Sequence, residues 1–158
     1  MTYSVELTKV DALIPYEDNP RINEKAVQKV MDSINSVGWR VPIITDENMV
    51  ILAGHTRLKA AKNLGLSEVP VHKISNLTEE KKRAFRIMDN KSADFSEWDR
   101  DLLTKEFDFL SNQGFDLSAT GFEFEEIEKM TKDLVEFKEP TEVIEDIDDI
   151  GFDNLQAS

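Results

Sequence analysis

The stretch Ile51–Gly65, "ILAGHTRLKAAKNLG", decides how this 158-residue chain is read. An apolar run, Met49-Val-Ile-Leu-Ala53, passes through one glycine into a basic segment at helical spacing, His55 to Leu64, which Gly65 closes. A glycine at a strand-to-helix turn lets the backbone approach a ligand closely, since it has no Cβ and tolerates positive φ. The helix after it begins with N–H groups outside its hydrogen-bond ladder and with a partial positive end, an arrangement suited to phosphate. His55 and Thr56 can each donate a hydrogen bond, Arg57 adds a planar charged fork, and Lys59 and Lys62 raise the potential nearby. Spacing alone is a weak signal. The stretch is neither a P-loop nor a Rossmann fingerprint, and a tight turn before a solvated basic helix would use the same residues.

Working outward, the chain alternates short β-branched runs with helical periodicity. Residues 3–16 read as a strand and its exit, with Val5 and Leu7 alternating with polar neighbours. A polar loop, Tyr16-Glu-Asp-Asn-Pro-Arg-Ile-Asn23, leads to a helix capped by Asn23 and ended by Gly38, with Val27, Val30, Met31, Ile34 and Val37 on one stripe. Val41–Thr45 and Met49–Ala53 are strands about a turn at Asp46-Glu-Asn48, and Val69–Ile74 is another. Thr78 caps a helix with Glu79 and Glu80 in its first turn. Ser96 with Asp99 resembles a capping box opening a helix to Ser111, whose buried stripe is Leu103, Phe107 and Leu110. A last helix, near residues 123–135, carries Phe124, Ile127, Met130 and Leu134. Trp39 and Trp98 read as packing residues. His72 is expected to face solvent opposite Val71. The fold class is α/β (α+β), with a helical C-terminal extension.

Composition narrows the function classes. There is no cysteine, so disulfides and thiol chemistry are excluded, and two histidines make a structural zinc site a poor expectation. No apolar run approaches the ~20 residues of a membrane span, and Met1-Thr-Tyr-Ser-Val-Glu6 carries no export signal, so a cytoplasmic protein is expected. Charge is uneven. Residues 1–95 hold 14 Lys/Arg and 13 Asp/Glu, a net of +1; residues 96–158 hold 5 and 19, a net of −14, and together they make the −13 of the chain. The front half can carry a local anion site, while the back half would repel a phosphate backbone, which disfavours duplex DNA binding.

Three segments in order carry a resemblance: "NPR" at Asn19–Arg21, "AGHTRLKAAKNLG" at Ala53–Gly65, and "MDNKSADFSEW" at Met88–Trp98. They resemble the three boxes of the N-terminal domain of the ParB/sulfiredoxin superfamily. Within it the chain is similar to stand-alone ParB-like domains of phages and mobile elements, also found fused to DNA methyltransferases. In those, forms such as "GHTR…AA…LG…VPV" recur, and a tryptophan-containing acidic segment and a Gly-Phe helix follow, here Ser96–Asp99 and Thr120–Phe124. The resemblance implies a small mixed sheet flanked by helices and a nucleotide site with CTP or ATP and Mg²⁺. On it, Gly54, His55, Thr56 and Arg57 would hold phosphates, Arg21 would approach them from the first loop, and Asp89 and Asn90 would help hold Mg²⁺. Together with the charge pattern it gives three parts: a nucleotide-binding domain over residues 1–95, an acidic helical extension over 96–136, and an acidic, flexible tail over 137–158.

The departures from the family pattern constrain the activity. Sulfiredoxin's nucleophilic cysteine falls at His55, so sulfinic acid reduction is ruled out. His55-Thr56 replaces the Glu-Arg of partitioning ParB proteins, removing a cation from the cradle, and the helices of residues 97–135 lack a basic recognition face. The leading expectation is a nucleotide-binding switch or adapter in phage or mobile-element DNA metabolism, with slow Mg²⁺-dependent hydrolysis if it is an enzyme. A second is a small-molecule kinase of the serine-kinase type, with Glu17 as general base. A third is a ParB-like nuclease or DNA-binding accessory of a methyltransferase, using Lys59, Lys62, Lys81, Lys82, Arg83 and Arg86 as a basic patch. A fourth is a protein-interaction adapter with a vestigial cradle, docking a partner protein through its acidic C-terminal region, where Ile144, Ile147, Ile150 and Phe152 lie among acids.

Overall fold

The computed structural model describes residues 3–19 and 24–136. Arg21, Asn23 and the four tail residues Ile144, Ile147, Ile150 and Phe152 lie outside the described residues. Strands β1 (Glu6–Lys9), β2 (Ile43–Thr45), β3 (Ile51–Ala53) and β4 (Glu68–Lys73) form one mixed sheet in the order β1-β4-β2-β3. β1 runs antiparallel to β4 and β3 antiparallel to β2, while β2 and β4 are parallel. A parallel pair needs a crossover, and here it contains β3 and helix α2 (His55–Asn63), so the glycine turn lies on that connection.

Alternation explains which face is buried. Ile43, Ile51, Val69 and Val71 point into a core with Leu58 and Ala61 of α2, and Trp39 and Met49 pack against its edge. Helix α1 (Glu24–Val37) lies against α2 and ends at Gly38, whose φ of 81° stops the helix as expected. Only Val27 of the predicted α1 stripe is buried; Val37 is exposed. The first strand differs more. It covers Glu6–Lys9 and breaks into a 3₁₀ turn at Val10–Ala12. Leu7 is 69% exposed and Val5 is also on the open side, while Val10 and Leu13 enter the core. The register pairs Glu6 with Val71 and Thr8 with Val69, so Leu7 shares the outer face with Pro70. His72 is half-buried, with Nδ1 2.7 Å from Ser4 O and its ring 4.1 Å from that of Tyr3.

Helix α3 (Glu79–Lys91) starts at Thr78, whose hydroxyl accepts from Lys81 N–H as expected, and packs on β3. Helices α4 (Arg100–Asn112) and α5 (Phe124–Glu136) follow. The cap of α4 is Asp99, accepting from Leu102 N–H at 3.1 Å, not Ser96, whose hydroxyl bonds Ala93 O at the end of the preceding 3₁₀ turn. Leu103, Phe107 and Ile127 make a second small core, flanked by Leu117, Phe122 and Met130. Phe124 is exposed. So is Trp98 (68%), which touches Phe122 only edge-on at 5.4 Å, a correction to its reading as a packing residue. Lys29 ties this part to α1 through Glu123 at 2.7 Å and through Gly121 O. Among the described residues no helix is long and apolar enough to cross a membrane.

Candidate functional site: a glycine turn facing a helix end

Gly54 has φ 107° and ψ 26° and caps α2 without a side chain. A Cβ there would stand 3.1 Å from Ile43 Cγ1, so both conformation and space call for glycine. The first bond of the helix ladder runs from Leu58 N–H to Gly54 O at 3.0 Å, which leaves the N–H groups of His55 and Arg57 ahead of it. These residues form one wall of a cleft of about 630 Å³, within the ~300–1,000 Å³ usual for small-molecule sites. Ala53, Gly54, His55, Thr56 and Arg57 line that wall, Asn19 of the first loop and Glu24 and Lys25 of α1 line another, and Asp89 and Asn90 close it from α3. Residues far apart in sequence therefore converge on one cavity.

Each side chain has a definite environment. His55 is half-buried, and its Nε2 accepts from Tyr16 N–H at 3.1 Å. Burial, with Arg86 and Lys59 adding to it, holds its pKa below the ordinary imidazole value, so the ring is neutral at pH 7. Arg57 donates from Nη1 to Pro42 O at 2.7 Å, pinning the approach to β2 to the helix start. Burial lowers the pKa of its guanidinium from the ordinary value, and the field of Asp89 opposes that shift. Lys59 is paired with Glu24 at 2.8 Å; this contact and the lysine's charge lower the pKa of Glu24. Asn90 Nδ2 donates to Arg86 O at 2.7 Å.

Of the sequence candidates, Gly54, His55, Thr56, Arg57, Asp89 and Asn90 meet at the cleft. Glu17 is exposed and is not among the lining residues, and Arg21 lies outside the described residues. The basic set does not form one patch. Lys82 is buried, with Nζ 3.1 Å from Asp46 Oδ2, 3.1 Å from Glu47 and 3.3 Å from Glu79. Arg86 is buried one turn later, its Nε donating to Ile51 O at 3.1 Å and its guanidinium 3.6 Å from the centre of the Tyr16 ring. Tyr16 and Arg86 were missed as site neighbours. A buried cation on a helix as polar as α3 has no signature in spacing.

A nucleoside triphosphate would fit the residues present: a side-chain-free turn, a helix start and an arginine face one cavity. Asp89 and Asn90 fit Mg²⁺ in its usual manner, with one or two protein oxygens and the rest from phosphate and water. The fold and cleft define a small α/β domain with a glycine turn at the wall of one cavity. The chain belongs to the ParB N-terminal domain family, whose model matches residues 2–91. It is 40% identical over 72 residues to a ParB-like nuclease domain-containing protein, YnaK, of Escherichia coli K12, covering 45% of this chain and 83% of that one. It is 33% identical over 88 residues to a probable chromosome-partitioning protein ParB of Rickettsia conorii, covering 54% of this chain and 30% of that one. Among solved structures, it is similar to the C-terminally truncated chromosome-partitioning protein ParB from Caulobacter crescentus complexed with CTP-γ-S. The TM-score is 0.60 at 20% identity, covering 70% of this chain and 64% of that one, a likeness of fold. The chain thus spans most of one relative but under a third of the Rickettsia partitioning protein.

Proposed function

We propose that this ParB-like chain binds a nucleoside triphosphate, CTP or ATP, with Mg²⁺, and acts as a nucleotide-dependent switch or adapter in phage or mobile-element DNA metabolism. The observation that carries the reading is the convergence of the Gly54 turn and the start of α2 with Asp89 and Asn90 on one cleft. The N–H groups of His55 and Arg57 and the Arg57 guanidinium receive phosphate oxygens, and Thr56 adds a hydroxyl. Asp89 and Asn90 would hold the Mg²⁺. Arg21, which matches the family's first box in sequence, is proposed to contribute a further phosphate contact. When bound, Mg²⁺ supplies charge neutralisation at the phosphates, and hydrolysis at this site is slow.

The acidic helical extension reports nucleotide occupancy to a protein partner. Leu102 and Phe109, seven residues apart on α4 and both exposed beside acidic neighbours, support that role. The kinase reading draws no support from Glu17, which is exposed and off the cleft lining. Nor does two-metal phosphodiester cleavage gain any: the described residues hold no group of three or more His, Cys, Asp or Glu placed to share a metal ion.

Isothermal titration with CTP, ATP and GTP, each with Mg²⁺, tests the reading. Saturable binding of CTP or ATP is expected, weakened at least about tenfold in Arg57→Ala, as loss of a charged hydrogen bond to phosphate implies. Because Arg57 also pins Pro42, the variant's fold is checked by its amide NMR spectrum. An unchanged dissociation constant in a folded variant, or no binding by the natural chain, overturns the proposal.

A further inference from the structure

We infer that Tyr16 and Arg86 hold His55 as a neutral imidazole with its proton on Nδ1, so that the cradle presents a fixed, uncharged donor to a phosphate oxygen. The inference rests on the triphosphate reading of the cleft for its ligand, but not for its geometry. A backbone N–H can only donate, so the 3.1 Å contact from Tyr16 N–H requires a lone pair on His55 Nε2. In a neutral ring the proton then sits on Nδ1, and the ring lines the cleft.

The loop that makes this contact is itself held. Ile14 bonds both ways to β3 and its approach, its N–H to Met49 O and its carbonyl to Ile51 N–H, each at 2.9 Å. Two residues on, the Tyr16 ring lies under the Arg86 guanidinium, which also bonds Ile51 O. Arg86 Nη1 is buried without a hydrogen-bond partner, so the ring face takes part of the cation's compensation. The same cation opposes a second positive charge on His55 from α3, as Lys59 does from α2. Among the described residues, the other charged groups lining the cleft are Glu24 and Lys25 of α1, Arg57 of α2 and Asp89 of α3, and Glu24 is engaged by Lys59. Protonating Nε2 would set two N–H donors against each other at 3.1 Å and break the contact between the Tyr16 backbone and the ring. Arg86 and Tyr16 are therefore positioning residues, and His55 is the group that meets the ligand.

Ring ¹⁵N NMR of the full chain without nucleotide, from pH 5 to 8, tests the geometry, with His72 assigned through His72→Gln. Nε2 of His55 should be unprotonated and Nδ1 protonated at pH 7, with a midpoint below the ordinary value that rises in Arg86→Gln. A proton on Nε2 at pH 7, or an ordinary midpoint, overturns the inference from the natural chain alone. An unmoved midpoint in folded Arg86→Gln removes Arg86 from it.

Titration with Mg²⁺ and the nucleotide bound best then separates the two nitrogens. His55→Gln, which offers Tyr16 an acceptor but puts no donor at the place of Nδ1, should weaken binding about fivefold, while His55→Asn, whose Nδ2 stands near the place of Nδ1, should stay within about twofold. The reverse order overturns the donor role. If the natural chain binds no nucleotide, that failure falls on the proposed function, and the ring spectrum still decides the tautomer.

Discussion

Helix α3 buries two cations four residues apart, and they are treated in opposite ways. Lys82 is surrounded by the carboxylates of Asp46, Glu47 and Glu79, which raise its pKa well above the ordinary lysine value. Arg86 has a carbonyl, an aromatic face and an unpartnered Nη1. The first charge is neutralised where it stands. The second keeps its positive charge beside the cleft, where it adds to burial in holding the pKa of His55 down. One helix therefore carries a structural staple at one end and, on the proposed reading, a neighbour of the anion site at the other. Arginine suits the second place because its fork can bond a carbonyl and stack at once.

The largest expected effect falls at the staple. Lys82→Ala leaves the buried Asp46 carboxylate without its cation and should lower Tm by about 10 °C; a loss of only a degree or two would mean the staple is dispensable. Acid should reach the same point. Burial works against the charge of Asp46, yet the N–H groups of Val50 and Asn48 and the Lys82 ammonium bring its pKa below the ordinary value. Its contribution to stability is thus full above the unfolded pKa of about 3.9 and lost as pH falls through the lower folded pKa. Chemical denaturation between pH 6 and 3 should show that loss, and Asp46→Asn should flatten it.

Next in size is Gly54→Ala, which forces alanine to a φ of 107° against Ile43 and should cost about 1–3 kcal/mol in denaturant unfolding. Wild-type stability in that variant would mean that the turn relaxes freely. The smallest loss of stability is expected at Arg86. Arg86→Gln removes a buried charge that pairs with no carboxylate among the described residues, so Tm should fall by no more than about 3 °C. Nucleotide affinity should show the reverse order, with Arg86→Gln weakening binding severalfold and a folded Lys82→Met leaving it nearly unchanged. Equal losses at both residues, in both measurements, would erase the distinction drawn between the two ends of α3.

Much of the cradle could be read from letters because its chemistry is local. Gly54, the helix after it and the cationic fork at Arg57 lie within one turn, and the caps at Gly38, Gly65 and Thr78 act on their own helices. Other local readings failed where two local solutions competed. Both Ser96 and Asp99 can cap α4, and the 3₁₀ turn at Ser92–Phe95 claims the serine. Leu7 alternates as a core strand should, but β4 pairs with it on the side that has no layer over it. Exposure of Trp98 likewise depends on how few residues the small α4–α5 core offers it.

The sequence by itself determined most of the elements, the helix ends at Gly38, Gly65 and Thr78, the glycine turn and the family, since these follow from hydrogen bonds and periodicities spanning a few residues. Only the tertiary structure decided that Asp89 and Asn90 would face that turn, that Lys82 would be consumed by Asp46, and that Tyr16 and Arg86 would settle the state of His55. Those pairings cross 36 residues for Lys82 and Asp46 and 39 for Tyr16 and His55. They depend on the sheet order β1-β4-β2-β3, which no local preference specifies. Charge and hydrogen-bond partners are chosen by that order, and the behaviour of each ionisable group follows from its partners.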